Sequence, residues 1–164
     1  MTESLVILEF LADAFPAAGI LPPPSDAAAR ARVRGFVAFF EARFVPAFVA
    51  SFYRGAPAQG VLDALAAVQA RMVSDSESTG AYACGAEWSM ADMAAAPFLL
   101  RALMMFEGDV GKYPEGEGKA AFAAFNNDPK YSRMARYFAA IKAHPTVQAT
   151  WDEVGGCLRV QGSR

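Results

Sequence analysis

Apolar residues recur at steps of three and four along most of the chain, which is the spacing of one buried face of an α-helix. The longest run extends from Asp26 to Tyr53, with apolar positions at Val33, Phe36, Val37, Phe40, Phe44, Phe48 and Phe52. Alternation with a period of two, the mark of a half-buried strand, hardly occurs. The pattern predicts an all-α bundle of six to seven helices, in which Ser25 or Asp26 caps the long helix.

The other helices are predicted from the same spacing and from glycine and proline breakers, over 3–13, 60–73, from Ser89 onwards, 119–125, 130–143 and 145–151. The helix that begins at Ser89 is apolar on nearly all sides as far as Arg101. Such a helix normally lies at the centre of a fold, so we expect the others to surround it.

Composition removes several classes of protein. The chain has 164 residues, 54% apolar and 20% charged, which suits one folded domain rather than a disordered chain. A net charge of -2 gives no basic field for nucleic acid or an anionic membrane. The apolar run from Met93 to Leu100 is too short to span a bilayer, and Thr2-Glu3-Ser4 lacks the basic start of a signal peptide. We therefore expect a cytoplasmic protein with no nucleic-acid or membrane partner.

Common catalytic motifs are also absent from the sequence. Two cysteines, Cys84 and Cys157, and one histidine, His144, give neither a disulfide framework nor the spacing of a zinc site. No G-x-S-x-G accompanies the histidine, and no P-loop is present. The sequence thus predicts no catalytic residue and no metal site, and His144-Pro145 is interpreted as the end of a helix.

A capping box is predicted where the central helix begins. Ser89 occupies the N-cap and Asp92 the third helical position, so each side chain can bond to the other's backbone N–H. The Asp92 carboxylate also meets the positive end of the helix dipole. We predict that Ser89 and Asp92 are structural and perform no chemistry.

A second polar motif lies at the start of the chain. Ser4 offers a hydroxyl and free backbone N–H groups at a helix N-terminus to an anion, while Glu3 can hold an ammonium group. Together they suit the carboxylate and amino group of an amino acid. The alternative is simple capping of the first helix.

The order of these motifs resembles a cytosolic glutathione transferase over about 150 of the 164 residues. The resemblance is carried by Glu3-Ser4, Val6-Ile7-x-x-Phe10-Leu11, Leu21-x-Pro23, the long helix, Ser89-x-x-Asp92 and Ala143-His144-Pro145. The segment 89–103, with Pro97, Arg101 and Leu103, is similar to the omega class.

The resemblance implies a domain organisation. Residues 1–20 would be a remnant of the last helix of a thioredoxin-like domain, 21–154 the C-terminal helical domain, and 155–164 a flexible tail. The thioredoxin-like half, with its catalytic cysteine, serine or tyrosine and its cis-proline segment, would be missing. Only Glu3 and Ser4 would remain of the glutathione site, so we expect this chain to be inactive and to bind glutathione weakly or not at all.

The resemblance also implies a function, namely glutathione-dependent conjugation or thiol transfer in detoxification. The helical half would supply the site for a small hydrophobic or electrophilic co-substrate, with Phe44, Phe48 and Arg101 as lining residues. For the phenylalanines the alternative is core packing, and for Arg101 it is an ion pair with an acid such as Glu107. The alternative function is a non-enzymatic interaction module, like the assembly domains of similar fold in translation factors.

We also expect self-association, with a homodimer as one form, because the face that the thioredoxin-like half would cover is apolar. The residues expected on that face are Phe36, Phe40 and Phe44, together with the short helix from Leu5 to Leu11.

Overall fold

The computed structural model describes residues 3–73 and 80–151. Within them lie seven α-helices: α1 Ser4–Ala14, α2 Ala27–Arg54, α3 Gln59–Gln69, α4 Met90–Glu107, α5 Glu117–Asn127, α6 Ser132–Ala143 and α7 Pro145–Thr150. Short 3₁₀ turns cover Pro16–Ala18 and Pro129–Tyr131. These residues contain no strand, only an isolated bridge between Tyr82 and Gly85. The all-α prediction is confirmed, whereas the predicted tail over 155–164 lies outside the described residues.

The long helix α2 forms as its sequence predicts. The Asp26 carboxylate caps it by accepting a hydrogen bond from the backbone N–H of Ala29 at 2.9 Å. It continues past Pro46 and ends at Gly55, whose φ of 78° is the left-handed conformation that glycine adopts without strain. Its buried face holds the whole predicted stripe, together with Ser51: Val33, Phe36, Val37, Phe40, Phe44, Phe48 and Phe52. Burial of each large apolar side chain contributes roughly 1.5–3 kcal/mol, so this face dominates the core.

Helix α4 lies beside α2, and aromatic rings join the two helices. The Phe98 ring meets Phe40 and Phe48 edge-on, with centroids 6.1 and 5.7 Å apart. Further along, Phe106 contacts Phe52 at 5.1 Å. Residue numbers rise together along both helices, so α2 and α4 run parallel. α5 and α6 also pack on α4, which makes it the central helix that its apolar sequence predicts.

Helix α2 is also long and apolar enough to cross a membrane, with a mean hydropathy of 1.4 over its best window. Length and composition alone carry little weight here, because the core helix of a water-soluble protein passes the same test. The phenylalanine stripe of α2 is packed against the protein's own helices. We therefore interpret α2 as a core helix.

The expected position of the exposed apolar face is wrong for its part on α2. Phe36, Phe40 and Phe44 are at most 2% exposed, because they stack on one another and are covered by the protein's own helices. The large apolar side chains that are exposed, at 49–59%, are Val6 and Phe10, which lie in the expected segment from Leu5 to Leu11, and Phe15 and Tyr53, which lie outside it. Self-association itself stays a prediction.

Two ion pairs attach α1 to α2. Arg34 forms a bidentate pair with Glu9, at 2.7 and 2.9 Å, and Arg30 approaches Asp13 at 3.5 Å. Ala12 is buried on the inner side of α1. The assignment of 1–20 as the end of a preceding domain stays a prediction.

Candidate functional site

The first charged group on α4, Asp92, is completely buried and completely engaged. Its Oδ1 accepts hydrogen bonds from the backbone N–H of Ala83 at 2.9 Å and from the Tyr137 hydroxyl at 2.8 Å. Its Oδ2 accepts from the backbone N–H of Ser89 at 2.9 Å and from the Ser89 hydroxyl at 3.1 Å. The predicted capping box is present. Asp92 therefore joins the start of α4 to the 80–88 loop and to α6.

Burial shifts the titration of this cluster. Desolvation raises the pKa of Asp92, and the hydrogen bonds from Ala83, Tyr137 and Ser89 oppose that rise. Burial and the neighbouring Asp92 carboxylate raise the pKa of the Tyr137 hydroxyl well above its usual value. Burial also raises the pKa of the Cys84 thiol to about 12. A thiol with that pKa is protonated near neutral pH, and the thiol is a much weaker nucleophile than the thiolate.

His144 has structural contacts, as its place in the sequence suggests. Its Nδ1 accepts a hydrogen bond from the backbone N–H of Thr146 at 3.3 Å and so caps α7. Its ring stacks on Trp88 with centroids 4.0 Å apart. Within the described residues, no group of three His, Cys, Asp or Glu side chains is placed to hold a metal ion.

The second charged group along α4 is Arg101, which is half-buried. It makes no hydrogen bond or ion pair with any residue in 3–73 or 80–151. Glu107, the acid considered from the sequence, is exposed and lies six residues further along, on another side of the helix. The proposed Arg101–Glu107 ion pair is not formed in the structure.

Arg101 lies on a side of α4 that its neighbours leave partly open. The helical period places it beside Pro97, Phe98, Met104 and Met105, three and four positions away. The first three are half-buried or exposed, and only Met105 is buried. A guanidinium group thus lies within an apolar strip, defined here as Ala94, Pro97, Phe98, Arg101 and Met104 and called the α4 strip.

The structure places the other predicted lining residues beneath this strip. Phe44 is 0% and Phe48 3% exposed, so both lie in the core. Phe48 contacts Phe98 at 5.7 Å and the half-exposed Tyr53 at 6.0 Å. Sequence reasoning missed Phe98 and Tyr53 as the accessible aromatic residues. For Phe98 the signal was available, because a residue three positions before Arg101 must share its face.

Glu3 and Ser4 lie at the exposed N-terminus of α1, away from any buried position. The Glu3 side chain makes no capping hydrogen bond, so the structure does not support simple helix capping as the role of Glu3. Next to this helix, a crevice of about 280 Å³ opens between α1, α2 and the start of α4, lined by Leu5, Val6, Glu9, Arg34, Val37, Ala38, Glu41 and Met90. A glutathione-binding role for Glu3 and Ser4 stays a prediction.

Comparison with solved structures gives close matches to one group of proteins. Glutathione transferase Omega 1C from Trametes versicolor is 36% identical, with a TM-score of 0.89 over 99% of this chain and 65% of that one. Omega 2C from the same organism is 34% identical, with a TM-score of 0.83 over 99% and 66%. Omega 2S, solved in complex with 2,4-dihydroxybenzophenone, is 32% identical, with a TM-score of 0.84 over 99% and 66%.

The chain therefore spans 65–66% of the length of those proteins. The matching part is consistent with their C-terminal helical portion. No protein-family model matches the sequence, and no curated protein matches it significantly.

Proposed function

The chain belongs to the glutathione transferase family, with its likeness in the omega class, and we propose that it supplies the co-substrate half of a glutathione-dependent transferase. The reaction is conjugation of glutathione to an electrophile or transfer of a thiol. In this proposal the α4 strip and Tyr53 form the surface that receives a small hydrophobic co-substrate, above a floor made by Phe44 and Phe48.

One observation carries this proposal. The central helix of the bundle is partly uncovered on the side that carries Arg101, and that side is otherwise apolar, with an aromatic ring at Phe98. Binding sites for small aromatic molecules are typically apolar surfaces with a few polar groups that fix orientation. The structure of Omega 2S with 2,4-dihydroxybenzophenone adds support, because a relative at 32% identity accommodates a two-ring aromatic compound.

Glutathione enters the proposal through the start of α1. Ser4 offers free backbone N–H groups and a hydroxyl to a carboxylate, and Glu3 offers a carboxylate to an ammonium group. These contacts engage one end of the tripeptide and leave its remaining polar groups unpaired. We therefore expect isothermal titration of the 164-residue chain with glutathione to show no sub-millimolar binding. A clear micromolar isotherm would contradict this.

The co-substrate surface is tested by titration of the 164-residue chain with 2,4-dihydroxybenzophenone. We expect saturable binding, and Phe98→Ala should weaken it about tenfold because the ring supplies most of the accessible aromatic surface on α4. The matched control is Phe15→Ala, which removes an exposed phenylalanine from the turn after α1 and should leave the affinity unchanged. Equal effects of the two substitutions, or no binding by the wild-type chain, would refute the proposal.

The interaction-module alternative is not favoured, since the reported relatives are transferases. Cytoplasmic location, a role in detoxification and homodimer formation belong to the same proposal. Homodimer formation would be checked by light scattering over a concentration series. The exposed side chains available for it are Val6, Phe10 and Phe15 rather than the stripe on α2.

A further inference from the structure

We infer that Arg101 makes this surface selective for aromatic co-substrates that carry an acidic group, a carboxylate or an acidic phenol. The inference rests on the proposed function, because it concerns the same surface, and it adds the class of substrate. It assigns Arg101 as the residue that determines specificity.

Arg101 lies apart from the carboxylates of α4. Between Asp92 and Glu107 the helix carries Arg101 as its sole charged residue. Asp92 lies nine residues earlier, which is half a turn around the helix, and its oxygens are engaged with Ala83, Ser89 and Tyr137. Neither carboxylate of α4 therefore shares the face of Arg101.

Arg101 is surrounded by apolar side chains on its own helix face. Its neighbours on the α4 strip, Phe98 and Met104, are apolar and half-buried, so water has only partial access to the guanidinium group. A half-buried charge without a partner among the described residues is unfavourable, since it loses hydration and gains no ion pair. A ligand that brings an anion to this position supplies the missing partner.

The chemistry of the guanidinium group defines the ligand. Its planar N–H groups match the two oxygens of a carboxylate in a bidentate pair, which is stronger than a bond between neutral groups. Phe98 would contact the aromatic part of the same molecule, and Tyr53 lies against the same Phe48 ring as Phe98 does. A neutral aromatic molecule can use the Phe98 ring but brings no anion to the guanidinium group, so the difference between the two ligands measures the ion pair with Arg101.

The test uses two ligands with one skeleton, benzophenone and 4-benzoylbenzoate, titrated into the 164-residue chain. We expect the carboxylate to bind about tenfold more tightly than benzophenone. Arg101→Met should remove that preference, so that the ratio of the two affinities falls to about one. Arg101→Lys keeps the charge but not the planar pair, so it should retain only part of the preference.

Arg43→Met is the matched control. Arg43 is an exposed arginine on α2, ten residues before Tyr53 and therefore about 15 Å from it along the helix axis. It should leave the preference at its wild-type value. If Arg101→Met does not fold, which circular dichroism reports, the comparison of wild type with Arg101→Lys carries the test.

The outcomes separate the inference from the proposed function. Equal affinity of the wild-type chain for both ligands, or a preference that survives in Arg101→Met or is unchanged in Arg101→Lys, overturns the inference and leaves the proposed surface standing. Binding of neither ligand would defeat the proposed surface itself, and the inference with it.

Discussion

The start and the middle of the central helix hold charges in opposite situations. At its start, Asp92 is fully buried and accepts hydrogen bonds from Ala83, Ser89 and Tyr137. Two and a half turns further on, Arg101 is half-buried and pairs with no described residue. Both are single charges within apolar sequence, but only Asp92 belongs to a capping motif, Ser89-x-x-Asp92. Their hydrogen-bond partners differ in the same sense.

The difference indicates which charge serves the fold and which is available to a ligand. A buried carboxylate keeps its charge only where donors replace its lost hydration, and here those donors come from three separate segments of the chain. Asp92 therefore links those segments. Arg101 has no such set of partners, so the fold gains little from its charge, and its interaction energy remains available for binding.

The largest expected effect is the loss of the buried carboxylate. Asp92→Ala leaves the Ala83 and Ser89 backbone N–H groups and the Tyr137 hydroxyl without an acceptor, and removes the cap of α4. Each unsatisfied buried donor costs about 1–3 kcal/mol. We expect the free energy of unfolding to fall by about 3 kcal/mol or more, measured by urea denaturation followed by circular dichroism.

The control for that loss is Ser89→Ala, which removes one hydroxyl but keeps the carboxylate and both backbone donors. It should cost about 1 kcal/mol. A denaturation midpoint that is unchanged in Asp92→Ala, together with altered ligand binding, would reverse the structural assignment of Asp92.

The second prediction concerns pH. Because burial raises the pKa of Asp92 above the unfolded value of 3.8, the folded protein holds this proton more tightly. The contribution of Asp92 to stability is therefore fullest below pH 3.8 and declines as pH rises through the raised pKa. Relative to Asp92→Asn, the wild-type chain should be more stable at pH 4 than at pH 7. If the free energy of unfolding varied with pH in the same way for both proteins, the raised pKa of Asp92 would be contradicted.

The third prediction concerns the exposed ion pair between Glu9 and Arg34, which joins α1 to α2. The hydrogen bond from Arg34 lowers the pKa of Glu9 below its usual 4.5, so this contribution is present above pH 4.5 and is lost as the pH falls. Glu9→Gln should cost only about 0.2–1 kcal/mol, because solvent screens the pair. Urea denaturation at low salt and at 1 M salt measures this cost, and we expect the higher salt concentration to remove most of it. The same loss of unfolding free energy at both salt concentrations would contradict a screened pair.

Much of the fold was predictable because local patterns and tertiary packing agree. The three- and four-residue spacing of phenylalanines located α2, and Ser89 with Asp92 located the start of α4 to the residue. The helix predicted over 60–73 ends earlier, at Gln69. Residues 70–72 form a turn and a bend in place of its last helical turn. The sequence did not reveal which helix each apolar face packs against. Phe40 packs on Phe98 of α4 and Phe36 stacks on Phe40, and the sequence of one helix cannot specify that alone.

The candidate site was predictable only in part. Arg101 stood out as a charge in apolar sequence, but whether Glu107 neutralises it depends on side-chain geometry. Phe44 and Phe48 carry the same pattern as the core residues around them, because an aromatic stripe at helical spacing marks burial and not access. The accessible rings, Phe98 and Tyr53, lie at the margin of that stripe, and only the packing of α2 beside α4 separates them from it.

The smallest expected effect completes the comparison of the two charges. Arg101→Met replaces a half-buried guanidinium that has no described partner with an apolar side chain of similar length, so no hydrogen bond is lost and the α4 strip becomes continuously apolar. We expect the free energy of unfolding to change by less than about 0.5 kcal/mol, or to rise slightly, because the cost of dehydrating the charge disappears. Urea denaturation beside Asp92→Ala gives the contrast directly. If the free energy of unfolding of Arg101→Met fell by about 2 kcal/mol or more, the guanidinium would be part of the fold, and the distinction between the two charges of α4 would not hold.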